Sequence, residues 1–188
     1  CKFCSFSVLG VKGDMSRCED NLYNELRENY VKWGIQHYTV GDETINDSKS
    51  KLAKCARVVK RIQEEFPECK IQLSGYARPD LLVNWEDTWQ DMHDMGFWSH
   101  FYGIESFNHE AAKYIGKGMN PDKLKEGMLK AQDWFGERGN YRATISMIIG
   151  LPYETRDTFL EARDWIFNKF PGHAYGFIPL MISDGEMF

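Results

Sequence analysis

The sequence predicts an α/β fold: a partial (βα)6 barrel with parallel strands and its first strand missing. Three observations predict it. Short runs rich in β-branched and aromatic residues alternate strictly with longer helix-like stretches. These runs begin at residues 35, 70, 100, 141 and 174, a spacing that suits successive strand–helix units. The 188 residues suffice for one sizeable core but fall short of the about 250 of a complete eight-unit barrel.

The predicted strands are 35–40 (IQHYTV), 70–75 (KIQLSG), 100–104 (HFYGI), 141–149 (YRATISMII) and 174–180 (AYGFIPL). Ser16 and Glu19 form a capping-box pattern ahead of a helix over 21–33, and Gly34 follows as its stop. Asp47 or Ser48 caps a second helix that runs to Phe66, ahead of Pro67. Asn84 and Asp87 frame the start of a third, closed by Gly96. Pro121 suits the first turn of a fourth after Asn120, with Gly139 at its end. Thr155 opens a fifth, to about Phe170. Alternation of this kind favours a parallel sheet with right-handed crossovers, and one further strand ahead of Cys1 completes a six-strand partial barrel of the TIM type. The chain reads as one domain over 1–188, a fragment cut at its first strand–loop junction.

With 43% hydrophobic residues the chain is expected to pack a core. A net charge of −5 argues against a general nucleic-acid surface. No apolar run reaches the about 18 residues of a membrane span. Five cysteines, at 1, 4, 18, 55 and 69, do not form a disulfide framework, so a reducing cytoplasm is the expected setting.

In parallel α/β folds, chemistry gathers at the carboxyl ends of the strands. Polar or glycine-rich segments follow the predicted strands here: GDETIN at 41–46, GYARPDLL at 75–82, GIESF at 103–107 with Gly116-Lys117-Gly118, and IIGLPYET at 148–155. Cys1-Lys2-Phe3-Cys4 lies at the corresponding place before the first helix. Taken alone, that CxxC also suits half a zinc site or a thiol redox pair.

These segments together resemble the radical S-adenosylmethionine (radical SAM) superfamily. Its signature is CxxxCxΦC, with Φ aromatic, and residues 1–4 match the last four positions, so the sequence begins within the motif. GIESF and IIGLPYET look like the family's fourth and fifth strand motifs. GDETIN and GYARPDLL are similar to those of members associated with cobalamin-binding domains.

The resemblance implies an enzyme that holds a [4Fe-4S] cluster and reductively cleaves S-adenosylmethionine to a 5′-deoxyadenosyl radical, which then takes hydrogen from a substrate. By the same resemblance Cys1 and Cys4 ligate the cluster, and Phe3 flanks it. Asp42 and Glu43 meet the methionyl amine. Glu105 and Ser146 hold the ribose hydroxyls. Lys117 pairs with the methionyl carboxylate, Arg78 reaches that carboxylate or a substrate, and Ile149 and Gly150 lie along the adenine. A reductant such as flavodoxin or ferredoxin is implied as partner, and cobalamin through a missing domain.

Each residue also has a plainer reading. Asp42 and Glu43 suit a solvated strand end or a helix cap. Lys117 suits a helix C-terminus, and Arg78 a loop pair with Asp80. Ser146 faces into the barrel or away from it according to register. The run Lys60–Glu65 suits a solvated helix face, and the five histidines form no metal-spaced set. The alternatives to the radical enzyme are a zinc or thiol redox protein and a barrel-derived binding module without a cluster.

Overall fold

The computed structural model describes residues 16–139, 141–170 and 173–181. Its elements run α1 (Glu19–Trp33), β1 (His37–Thr39), α2 (Lys49–Glu65), β2 (Gln72–Ala77), α3 (Pro79–Asn84), α4 (Trp89–Asp94), β3 (Phe97–Glu105), α5 (His109–Tyr114), α6 (Pro121–Gly136), β4 (Arg142–Ile149), α7 (Arg156–Lys169) and β5 (Ala174–Pro179). The five strands pair in parallel in chain order, β1-β2-β3-β4-β5, and curl into a half-barrel with helices packed against one face.

Local signals explain most helix starts. Ser48 accepts a hydrogen bond from Lys51 N at the head of α2, and Asn120 accepts from Asp122 N and Lys123 N at the head of α6. Thr155 and Thr158 cap α7 reciprocally. The capping box expected at Ser16 and Glu19 does not form. Cys18 stands at the cap position of α1, while the Glu19 carboxylate turns outward to Arg57 on α2 (2.8 Å). The helix expected near 84–96 is a 3-10 turn over Glu86–Thr88 followed by α4, with the unpredicted α3 just ahead of it. Pro79 starts α3, and the α5 helix after GIESF gave no sequence signal strong enough to be predicted.

The run Lys60–Glu65 is more than a solvated face. Helices α1 and α2 run one strand–helix unit apart, so Glu19 meets Arg57, Asp20 meets Arg61 and Arg27 meets Glu65. These pairs are largely exposed and each contributes little, on the order of 0–1 kcal/mol. The main stabilisation lies beneath them. Leu52, Ala56 and Val59 recur at helical spacing on the inner side of α2 and bury with Ile62 against the sheet. Each fully buried aliphatic side chain contributes roughly 1.5–3 kcal/mol.

Burial alternates along the strands and so identifies the two faces of the sheet. Leu73, Gly75 and Ala77 of β2, His100, Tyr102 and Ile104 of β3, and Ala143, Ile145 and Met147 of β4 face the helices. The concave face carries the other set, which pairs across strands in layers. One layer is Tyr76, Phe101, Thr144 and Ala174; the next toward the carboxyl ends is Gly103, Ser146 and Gly176. Ser146 therefore lies on the concave face, which register alone could not show from sequence.

Among the described residues, the helix-side core holds a polar chain that starts at the fully buried His100. His100 Nε2 lies 2.8 Å from the Phe97 carbonyl, which can only accept, so that nitrogen carries the proton. Nδ1 then accepts from the Tyr102 hydroxyl at 2.6 Å, and Tyr102 lies 3.2 Å from the Tyr141 hydroxyl. Desolvation lowers the His100 pKa from 6.5 to about 4, so the ring is buried neutral. Below pH 6.5 the unfolded chain binds a proton that the folded chain refuses. Stability is therefore expected to fall by about 3 kcal/mol between pH 6.5 and pH 4 from this residue alone. Denaturant unfolding across that range measures it, and His100→Gln should flatten this part of the profile; an unchanged slope in the variant would assign the loss to other groups.

Candidate functional site

The carboxyl ends of β1 to β4 bring most of the sequence-predicted residues to one rim. The centre of the rim is the end of β3. Gly103 pairs with Ser146, but the next paired residue on β3 is Glu105, opposite Met147, so β3 carries one extra residue there. Such a bulge re-aims side chains. Glu105 also has φ +70°, a left-handed conformation that costs a residue other than glycine roughly 1 kcal/mol.

The result is a carboxylate folded back over its own strand. A Cβ at position 103 would collide with Glu105 Oε1, and Lys117 Nζ lies 3.9 Å from the same point. Glycine at 103 leaves room for the close approach of Glu105, and the carboxylate lies above the layer that contains Ser146. Lys117 Nζ donates to the Gly103 carbonyl (2.6 Å) and sits 3.7 Å from Glu105 Oε1. The two side chains are only 14% and 25% exposed, Glu105 and Lys117 respectively. Burial pushes the Glu105 carboxyl up and the Lys117 ammonium down, and the charge of each partner opposes that shift.

A row of alternating charge continues along the rim. Arg78 holds Asp80 through two hydrogen bonds, at 3.1 and 2.5 Å. That bond leads the causes that hold the Arg78 guanidinium protonated, with Asp47 adding a smaller contribution. Asp80 and Arg78 both act on Lys117 after burial and Glu105, with opposite signs. Beyond Arg78, the almost fully buried Lys51 bonds Asp47 (2.5 Å), Asp42 (3.3 Å) and the Thr44 carbonyl (2.9 Å). Asp42 is therefore engaged by a lysine that sequence reasoning missed, although the Asp47–Lys51 spacing of four residues was a signal for it. Glu43 beside it is exposed.

Backbone ties hold these loops in place. The Asn46 side chain, 1% exposed, both donates to the Arg78 carbonyl (2.9 Å) and accepts from the Arg78 N–H (2.8 Å), continuing the sheet where β1 has ended. After β4, Ile149 is half-buried and its carbonyl accepts from Leu180 N, while Gly150 turns with φ +90°. Cys1, Phe3 and Cys4 lie outside the described residues. Among the described residues no cluster of three His, Cys, Asp or Glu side chains is placed to hold a metal.

The rim offers a buried carboxylate and ammonium side by side, a hydroxyl in the next layer, and a glycine turn that admits close backbone approach. That donor set fits a ligand carrying both a diol and a zwitterionic amino acid.

Comparison with known proteins adds four findings. The model of the Radical SAM superfamily matches residues 1–166. An uncharacterized methyltransferase of Pyrococcus horikoshii is 27% identical over 157 residues, 84% of this chain and 32% of that protein. An oxygen-independent coproporphyrinogen III oxidase of Helicobacter pylori is 25% identical over 114 residues, 61% of this chain and 24% of that protein. The chain thus spans less than a third of the length of either relative. In fold it is similar to TsrM from Kitasatospora setae, a radical S-adenosylmethionine methyltransferase solved with cobalamin and a [4Fe-4S] cluster bound. The TM-score is 0.70 over 87% of this chain and 29% of that one, at 16% identity.

Replacing Lys117 by Met would strand the buried Glu105 carboxylate without its cation. Denaturant unfolding is expected to show a loss of about 3 kcal/mol, largely recovered in the double variant Lys117→Met/Glu105→Gln. A loss below about 0.5 kcal/mol would show the pair to behave as a solvated one.

Proposed function

The chain belongs to the radical SAM superfamily, and from that premise we propose that it binds S-adenosylmethionine across the rim described above, next to a [4Fe-4S] cluster. The observation that carries this reading is the buried Glu105–Lys117 pair folded over Gly103, beside Ser146. Cys1 and Cys4 would supply two of the cluster's thiolates, with the third cysteine of the family motif upstream, and Phe3 would flank it. The chemistry that a bound cluster supplies is one-electron reduction of the sulfonium, so that the C5′–S bond breaks into methionine and a 5′-deoxyadenosyl radical able to abstract hydrogen from a substrate.

The protein's own contribution is binding, orientation and exclusion of water. Glu105 would accept the ribose hydroxyls, and Ser146 would add a hydroxyl from the concave layer below. Lys117 would face the methionyl carboxylate, with Arg78 close by but already engaged with Asp80. Asp42 is held by Lys51, which leaves Glu43 as the carboxylate for the methionyl amine. Ile149 and Gly150 would lie along the adenine, where the turn at Gly150 presents backbone rather than side chain. Low exposure around Glu105 and Lys117 strengthens each charge–dipole contact, because the local dielectric is low.

A second reading concerns the reaction. The 27% identity to a methyltransferase over 84% of this chain, together with GDETIN and GYARPDLL, supports methyl transfer, with cobalamin held by a further domain. An external one-electron donor of the flavodoxin or ferredoxin type would serve as reductant. No helix among the described residues is long and apolar enough to cross a membrane.

The test uses the intact protein that carries this chain, purified without oxygen, reduced with dithionite and given S-adenosylmethionine. Chromatography should detect 5′-deoxyadenosine, absent in Cys4→Ala. Glu105→Ala should keep its cluster yet raise the KM for S-adenosylmethionine about tenfold or more, since a hydrogen bond to a charged group is worth roughly 1.5–3 kcal/mol. A cluster-loaded protein that neither binds nor cleaves S-adenosylmethionine would refute the reading.

A further inference from the structure

The loops after β3 and β4 meet through a contact that none of the roles above uses. Ser106 Oγ donates to Glu154 Oε1 at 2.8 Å and accepts from the Asn108 backbone N–H at 3.0 Å. Ser106 is 2% exposed. Asn108 in turn caps α5 by accepting from Ala111 N at 2.9 Å, and the end of α5 leads to Lys117, whose N–H bonds the Ala112 carbonyl. Leu151, in the same loop as Glu154, packs on Ala111 and Ile115 of α5. Glu154 is thereby tied, through Ser106, to the turn that carries Glu105.

The two described residues other than glycine with positive φ are Glu105 (+70°) and Tyr153 (+68°). Each immediately precedes one partner of this bond: Glu105 before Ser106, Tyr153 before Glu154. Left-handed backbone persists at such residues only where surrounding contacts over-determine it. The Ser106–Glu154 bond joins the two strained turns directly, across 48 residues of chain.

The second oxygen of Glu154, Oε2, is buried with no hydrogen-bond partner among the described residues, so the carboxylate is oriented through its bond to Ser106.

We propose that Glu154 is a positioning residue for nucleoside recognition: through Ser106 it holds Glu105 in the left-handed conformation that aims its carboxylate over Gly103. The proposal rests on the reading of Glu105 as the ribose-binding carboxylate. Glu154 itself does not touch the ligand. Its loss should therefore weaken binding only for ligands that carry the ribose hydroxyls.

The experiment is calorimetric titration of the intact, cluster-loaded protein with S-adenosylhomocysteine and with its 2′,3′-dideoxy analogue. Melting temperatures are recorded alongside. Glu154→Ala and Ser106→Ala should each weaken S-adenosylhomocysteine about tenfold and leave the dideoxy analogue within about twofold. Glu154→Gln, whose amide oxygen can still accept from Ser106, should bind within about threefold of the unmodified protein. Glu105→Ala/Glu154→Ala should bind no more weakly than Glu105→Ala alone. Equal weakening of both ligands, or additive losses in the double variant, would overturn the proposal and reduce Glu154 to a general structural role. If Glu154→Ala fails to fold, Glu154→Gln and Ser106→Ala carry the same comparison. Should the unmodified protein fail to distinguish the two ligands, the reading of Glu105 falls, and the proposal falls with it.

Discussion

The rim of this half-barrel depends on one local departure from regular sheet geometry, the bulge at the end of β3. Were β3 to continue in register, Glu105 would project from the strand end as an ordinary solvated carboxylate. The extra residue and the left-handed turn at Glu105 instead return its carboxylate over Gly103, into reach of Lys117. Three features act together: a glycine whose missing Cβ leaves room for the carboxylate, a cation to offset its burial, and loop contacts that hold a backbone conformation unfavourable by itself.

Burial of that pair has opposing consequences. Desolvation works against both charges, which is why the two shifts run in opposite directions, and the charge of each partner opposes the other's shift. The arrangement extends sideways as an alternating series, Asp42 and Asp47 on Lys51, Arg78 on Asp80, then Lys117 on Glu105. Each charge of the series has an opposite neighbour, so the rim keeps several ionised groups in a small volume without a large net field. A ligand with both an ammonium and a carboxylate can exchange contacts with such a row rather than meet an uncompensated charge.

Much of the fold was legible in the sequence because its signals are local. The five strands lie where the alternation placed them, within a few residues at each end. Ser48, Asn120 and Thr155 cap the helices they were expected to cap. Where the expectation failed, a distant partner competed with the local pattern. Glu19 left its capping box for Arg57. The helices α3 and α5 have six residues each, too short for periodicity to reveal. The candidate site was legible as positions but not as contacts. Its motifs lie at strand ends by local patterning, whereas Lys51 gave only the faint signal of Asp47 four residues before it.

By itself the sequence determined the parallel α/β architecture and the gathering of GDETIN, GYARPDLL, GIESF and IIGLPYET at one edge of the sheet. Both follow from hydrophobic periodicity and turn chemistry, which act over a few residues. Only the tertiary structure decided that Ser146 faces the concave side, that Asp42 is engaged by Lys51, that Glu105 folds over Gly103 toward Lys117, and that Ser106 is tied to Glu154. Those contacts join residues 9, 14 and 48 apart, and the last two depend on how β3 pairs with β4. Strand register is set by the whole packed sheet, and a one-residue difference in it, here the bulge at the end of β3, redirects every side chain beyond it.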